Sequence, residues 1–259
     1  DHGSMYGVME FYKTAKSEGV KPIIGCEVYV AKRSRFDKVR EYDSEIYHLV
    51  LLCKNNIGYQ NLIKMVSKSF IEGFYNKPRI DEDLLRQHSE GLMALSACLA
   101  GAIPRALNRN DYEAAKEIAL NYQDIFGKNN FYIELQNHGI AEEIRILPML
   151  SRLSKETGIP MVATNDCHYI TQEDSRMHEV LLCIQTNHTI EDDDKMDFGT
   201  DQVYIKSEKE MRALFDNFEG AIENTAKIAE MCNVEFEFGK TKLPHFDVPN
   251  NQDHYEYFK

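Results

Sequence analysis

The 259-residue chain carries no C-x-x-C pair, no long apolar run, no excess of positive charge and no initiating methionine. Its six cysteines, Cys26, Cys53, Cys98, Cys167, Cys183 and Cys232, are neither paired nor evenly spaced, and no signal peptide precedes them. They read as free thiols of a reducing compartment, so a cytoplasmic location is expected. A membrane span needs about 18–20 consecutive apolar residues, and without one no membrane contact is expected. The formal net charge of −12 excludes the basic footprint of a free-standing nucleic-acid binder. Contact with DNA would have to be local, metal-assisted, or supplied by a partner or a further domain. Asp1-His2-Gly3 is not a natural start, so the chain is read as a fragment that lacks its own beginning. Neither repeats nor low-complexity segments are present.

What is present suits a globular protein: 43% hydrophobic and 28% charged residues are ordinary for a soluble domain, and this length can bury a substantial core. Five β-rich apolar runs stand out, at residues 21–30, 47–53, 92–96, 131–135 and 161–164. Helical patterns lie between them. One spans 5–17 and stops at Gly19, one spans 59–70, one is capped by Asp111 and ends at Gly127, and one spans 141–157 with Pro148 expected to kink it. Strands alternating with helices imply βα units around a mainly parallel sheet or barrel, an α/β fold. Beyond Tyr169 a helix is expected over 171–185, then a solvated acidic loop from Glu191 to Asp201 and a short strand at 203–205. Ser207 and Glu210 form a capping box. A helix over 221–232 and an alternating edge strand at 234–238 follow, and residues 243–249 read as an extended exit.

Metal and substrate groups in such folds gather where loops leave the strands. Asp166 and His168 follow the last of the five strands, and residues two apart in extended chain point the same way. Glu27 sits in an apolar run, where a carboxylate must be paired, liganded or at a strand end. His2 lies in a turn, His48 begins an apolar run, and Cys98 and His138 follow strand ends. Each also has a bland reading: a capping aspartate, an edge-strand carboxylate, a turn or core histidine, a small buried thiol. Together they mark nearly every predicted βα unit. His48 is awkward, because it begins its run where a uniform parallel barrel would want it at the end. Either its strand starts earlier or it runs against its neighbours.

The runs Asp1-His2-Gly3-Ser4-Met5-Tyr6-Gly7, Lys21-Pro22-Ile23-Ile24-Gly25-Cys26-Glu27-Val28-Tyr29-Val30, and Tyr47-His48-Leu49-Val50-Leu51-Leu52 resemble successive motifs of one family. Leu95-Ser96-Ala97-Cys98-Leu99-Ala100-Gly101, Phe131-Tyr132-Ile133-Glu134-Leu135-Gln136-Asn137-His138-Gly139 and Asn165-Asp166-Cys167-His168-Tyr169 continue the match in order. That family is the PHP (polymerase and histidinol phosphatase) domain of bacterial DNA polymerase III alpha subunits. The resemblance implies a distorted barrel of about seven β/α units. It also implies a cleft for up to three divalent ions, zinc foremost, with manganese, magnesium or iron as alternatives. His2, Glu27, His48, Cys98, Asp166 and His168 are the implied ligands. Asp166, His168 and His138 are the implied catalytic group, with His138 beside the ligands or near substrate. The family's first strand, with its H-x-H pair, is not in this chain, so an open seam and an incomplete metal position are expected. Residues 1–242 would form the domain, and 243–259 would lead toward the polymerase palm.

The function this implies is metal-dependent phosphoester cleavage in a replicative polymerase subunit, either 3′→5′ removal of a DNA end or hydrolysis of pyrophosphate. Arg79 and Arg105 are candidate phosphate contacts. Polymerisation itself would use carboxylates outside this chain. Expected partners are DNA, the other polymerase domains, an exonuclease subunit and a sliding clamp. The alternative is a silent, metal-stabilised scaffold that braces the polymerase and docks the exonuclease. A stand-alone histidinol-phosphatase-like enzyme fits less well, given the runs 22–30 and 95–101.

Overall fold

The computed structural model describes residues 1–241, 243 and 246–259. The chain folds as α1 (Val8–Ser17), β1 (Gly25–Ala31), α2 (Arg40–Asp43), β2 (Ile46–Cys53), α3 (Asn56–Ile71), β3 (Arg79–Ile80), α4 (Glu82–His88) and β4 (Leu92–Leu95). It continues as α5 (Ala102–Asn108), α6 (Tyr112–Phe126), β5 (Phe131–Leu135), α7 (Ala141–Thr157), β6 (Met161–Ala163), α8 (Ser175–Thr186), α9 (Glu208–Phe215), α10 (Glu223–Met231) and α11 (His254–Phe258). The expected mixed α/β class holds. Six strands form one sheet in the order β3-β1-β2-β4-β5-β6, and among the described residues this sheet does not close into a barrel. Among the described residues no helix is long and apolar enough to cross a membrane.

Strand alternation divides the sheet into two faces. Cys26, Val28 and Val30, Leu49, Leu51 and Cys53, and Phe131, Ile133 and Leu135 join the main core with residues of the covering helices, among them Leu62 and Met65 of α3 and Leu150 of α7. The intervening residues belong to the other face. Val50, Leu52, Met93, Leu95, Tyr132 and Val162 form a smaller cluster, closed at one end by Ile228 and Met231 of α10 and by Cys232. Glu27, Tyr29, His48 and Glu134 share the parity of this second face. The period of two that fills the core thereby places these polar side chains together on the opposite side.

Of the two readings offered for His48, the reversed strand is the one found. β1 pairs parallel with β3, and β4, β5 and β6 run parallel to one another, but β2 is antiparallel to both β1 and β4. This reversal places His48, near the start of β2, at the same edge as the ends of the other strands. The expected strand at 203–205 is reduced to one bridge between Tyr204 and Tyr169. Residues 234–238 form no strand. Their alternation records burial without a neighbouring strand: Val234 is buried, Phe236 lies edge-on to Tyr12 and Tyr59, and Glu235 accepts from the Tyr12 hydroxyl and Lys16. Pro148 sits inside α7 without ending it. The Ser207–Glu210 capping box and the Asp111 cap form as expected. Of the expected exit, Pro244 and His245 lie outside the described residues.

Arg79, a candidate phosphate contact from sequence, is instead a structural centre. It is 0% exposed. Its guanidinium donates to the carbonyl oxygens of Gly73, Asp43, Arg35 and Asp37, at 2.8–3.2 Å, and so ties the β1–β2 connection to β3. A planar fork of five donors suits four diverging carbonyls in a way that an ammonium does not. Arg79→Met should therefore destabilise the chain by at least about 3 kcal/mol, because the stranded acceptors stay buried. The shift of the urea midpoint measures this, and Arg79→Lys should recover only part of the loss.

Candidate metal centre

Glu27 is the pivot of the site. Its Oε1 lies 2.7 Å from His2 Nδ1 and 3.1 Å from His48 Nδ1. Two kinds of neighbour bring these histidines in. Backbone bonds dock the turn at residues 1–3 against β1: Gly3 N donates to Glu27 O and Glu27 N to Asp1 O. His48 comes from the adjacent antiparallel strand, where Val50 is opposite Glu27 and Tyr29 opposite His48. Glu27 and His48 are thus diagonal neighbours on one face, within reach for long side chains. Burial opposes ionisation of Glu27, but the hydrogen bonds from His2 and His48 outweigh it and hold the carboxyl at about 2. Burial lowers the His2 imidazole less than the bond to Glu27 raises it, so its pKa is raised.

Cys98 completes a compact donor group. Its Sγ is 3.7 Å from His48 Nδ1, and donor atoms of Glu27, His48 and Cys98 all lie within 4.8 Å of one another. Around one tetrahedral zinc, oxygen, nitrogen and sulfur ligands stand about 3.3–3.8 Å apart, and the two distances to His48, 3.1 Å from Glu27 and 3.7 Å from Cys98, are close to that spacing. The Cys98 thiol is pushed up to about 12 by burial, with the Asp166 charge adding to the effect. The loop that carries it is tight. Ala97 has a φ of 63°, and a Cβ on Gly101 would stand 2.1 Å from Ser96 O.

Asp166 and His168 enter from the loop after β6, but not through the expected extended geometry. Asp166 has a φ of 39°, in the left-handed region that aspartate tolerates better than most residues. The turn brings its Oδ1 to 3.5 Å from His168 Nε2, and the His168 ring stacks on His2 at 5.7 Å. Neighbouring backbone holds this loop. Asn165 Nδ2 donates to Gln202 O and Tyr204 O, and His168 N donates to Val203 O. All six implied ligands therefore converge. They lie between a cavity of ≈ 740 Å³, lined by all of them, and one of ≈ 500 Å³ that shares His2, Glu27 and Asp166.

The profile of the PHP domain family matches residues 1–138, more than half of the chain. The chain belongs to the PHP domain family. The DNA polymerase III subunit alpha of Treponema pallidum is 44% identical over 98% of this chain and 22% of its own length. The corresponding subunit of Thermus aquaticus is 43% identical over 100% of this chain and 22% of its own length, and that of Borreliella burgdorferi is 44% identical over 96% and 22%. This PHP domain thus spans about a fifth of the length of the curated relatives it matches.

His138, expected in the catalytic group, has another place in this PHP domain. It is 3% exposed, and neither ring nitrogen faces the cleft. Nδ1 is 2.8 Å from Glu143 Oε1, and Nε2 is 3.0 Å from Asn165 O. Both partners are acceptors, so the doubly protonated ring satisfies both. His138 holds the strand that leads into Asp166. Arg105 donates to Glu45, as do Arg109 and Lys32.

Three groups escaped the sequence reading. Glu134 is a carboxylate in a fully buried strand, open to the same reasoning that singled out Glu27. It accepts from Ala97 N in the Cys98 loop and from Thr164 Oγ1 before Asp166, so it couples the two loops. Burial, aided by Asp166, pushes it up to about 7 against the pull of Thr164, Gln136 and Ala97. His178 on α8 lies against His168 and Phe198 in the larger cavity, and Lys77 lines that cavity from the turn before β3. Neither had a strand-end position to mark it.

Burial lowers the His138 pKa less than the Glu143 carboxylate and the Asn165 carbonyl raise it, so the folded value lies above 6.5. The stability from this contact is complete below pH 6.5 and is lost as pH rises through the folded value. His138→Ala should cost about 3 kcal/mol at pH 6, since it leaves the buried Glu143 without its charged partner and with only the amide of residue 138 donating to it. Urea unfolding across pH should show the gap to the parent narrowing on the alkaline side.

Proposed function

We propose that this PHP domain is the metal-dependent phosphoesterase of a DNA polymerase III alpha subunit and trims a 3′-terminal phosphodiester of DNA. The observation that carries this reading is the convergence of carboxylate, imidazole and thiol donors on one cleft, with donor atoms of three of them within 4.8 Å of one another. Divalent ions bound there would neutralise phosphate oxygens and make an acidified water available near neutral pH. His2, Glu27, His48, Cys98, Asp166 and His168 would hold up to three such ions. Sulfur from Cys98 favours zinc at its own position, while the oxygen and nitrogen donors also suit manganese, magnesium or iron. Pyrophosphate is the smaller substrate of the same chemistry.

Residues 1–242 are assigned to the domain and 243–259 to the passage toward the polymerase palm. Polymerisation belongs to the remainder of the relatives' length. DNA and the other polymerase domains are the proposed partners, with an exonuclease subunit and a sliding clamp as further ones, in the cytoplasm.

The test pairs metal content with removal of 3′ nucleotides from a single-stranded oligonucleotide. Asp166→Asn should reduce hydrolysis by more than the roughly 10–100-fold typical of residues that merely orient a ligand. Equal rates in parent and variant would overturn the site. A fully loaded parent that gains thermal stability but cleaves nothing would make the domain a scaffold.

Metal uptake should also release the Cys98 proton, since this thiol is held at about 12 and must ionise to ligate. Affinity should rise with pH. Calorimetry in buffers of different ionisation enthalpy should count about one proton fewer for Cys98→Ser.

A further inference from the structure

The cleft carries Glu27 and Asp166, and any phosphate that enters must be drawn past them. Both arginines expected to do this are otherwise engaged, Arg79 with four buried carbonyls and Arg105 with Glu45. Among the described residues, Lys77 is the one lysine or arginine lining either of the two cavities. It shares the larger cavity with all six implied ligands.

Lys77 is held there by its surroundings. The turn at 75–78 is closed by Tyr75 N donating to Lys77 O at 3.0 Å and leads directly into the buried Arg79. It packs against the turn bearing His2: a Cβ on Gly3 would stand 2.6 Å from the Tyr29 ring and 3.1 Å from Pro78. Gly3 has a φ of 68°, so both its conformation and this close approach call for glycine. Lys77 Nζ lies over the Tyr29 ring at 5.5 Å, and that ring is edge-on to His48 at 5.2 Å. Its ammonium has no carboxylate within ion-pair distance among the described residues. A flexible stem with three donors and no ion-pair partner is suited to bind a mobile phosphate oxygen.

We propose that Lys77 is the substrate-anchoring cation of this cleft and binds a phosphate of single-stranded nucleic acid through Nζ. The inference rests on the phosphoesterase reading and adds the residue that holds substrate. Tyr29 steers the lysine stem over the cleft. Arg79 positions the turn from below without touching substrate.

The test uses this chain with a single-stranded deoxythymidine oligomer whose 3′ linkage is a phosphorothioate, so that binding is read without cleavage. Each neutralised phosphate contributes a slope of about 0.7 to the fall of log affinity with log salt on single strands. Lys77→Met should flatten the slope by that amount, and Lys77→Arg should preserve it. On cleavable oligomer, Lys77→Met should raise KM roughly 3- to 10-fold with kcat little changed, the pattern of lost ground-state binding. The exposed position of Lys77 leaves folding of the variant intact. An unchanged slope and KM in Lys77→Met would overturn the anchor while leaving the phosphoesterase reading in place, and so would a parent with no salt-dependent binding. A flattened slope in a chain that cleaves nothing would support the anchor and count against the phosphoesterase reading alone.

Discussion

A charged carboxylate in the middle of a buried strand is the constraint on which the rest of this site depends. Glu27 lies in β1 between Cys26 and Val28, both in the main core. Left alone there it would take up a proton, because desolvation penalises the ionised form. It stays ionised because two imidazoles reach the same oxygen, one from the turn at 1–3 and one from β2. The docking of that turn, the direction of β2 and the parity of the strands are all conditions for this triangle. A cation shared with Cys98 would be held by the same arrangement.

Around this pivot lies a layer of buried polar groups, of which Glu134 also lines the smaller cavity. Glu134 links the loop of Cys98 to the residues before Asp166, and His138 links α7 to the same segment through Glu143 and Asn165. Arg79 does comparable work under the turn that carries Lys77. Such networks are demanding, because each member left unsatisfied in a low-dielectric interior is destabilising. They fix the loops that carry the ligands, as a metal centre with fixed ligand distances requires.

Much of this was legible beforehand. The strands at 131–135 and 47–53 and the caps at Asp111 and Ser207 have strictly local causes, in alternation and in side chains bonding nearby amides. The group His2, Glu27, His48, Cys98, Asp166 and His168 was legible from residue type and position, and from family motifs. Less legible were residues whose role depends on what packs over them. Lys77 in its turn and Arg79 at the start of β3 stand two apart, and chain position says nothing of which is swallowed by the β1–β2 connection. His138 follows a strand end just as Cys98 does, yet its ring turns away from the cleft to meet Glu143.

The sequence by itself determined the α/β class, most elements and the chemical character of the site, because hydrophobic period, capping and donor type are properties of short stretches of chain. The choice between the two readings of β2, the order of the six strands and the division of the polar residues into those that face the cleft and those that brace it were decided only in three dimensions. Strand direction depends on pairing between segments far apart in the chain. Whether a buried polar group faces a cavity or a carbonyl depends on partners that no local pattern specifies.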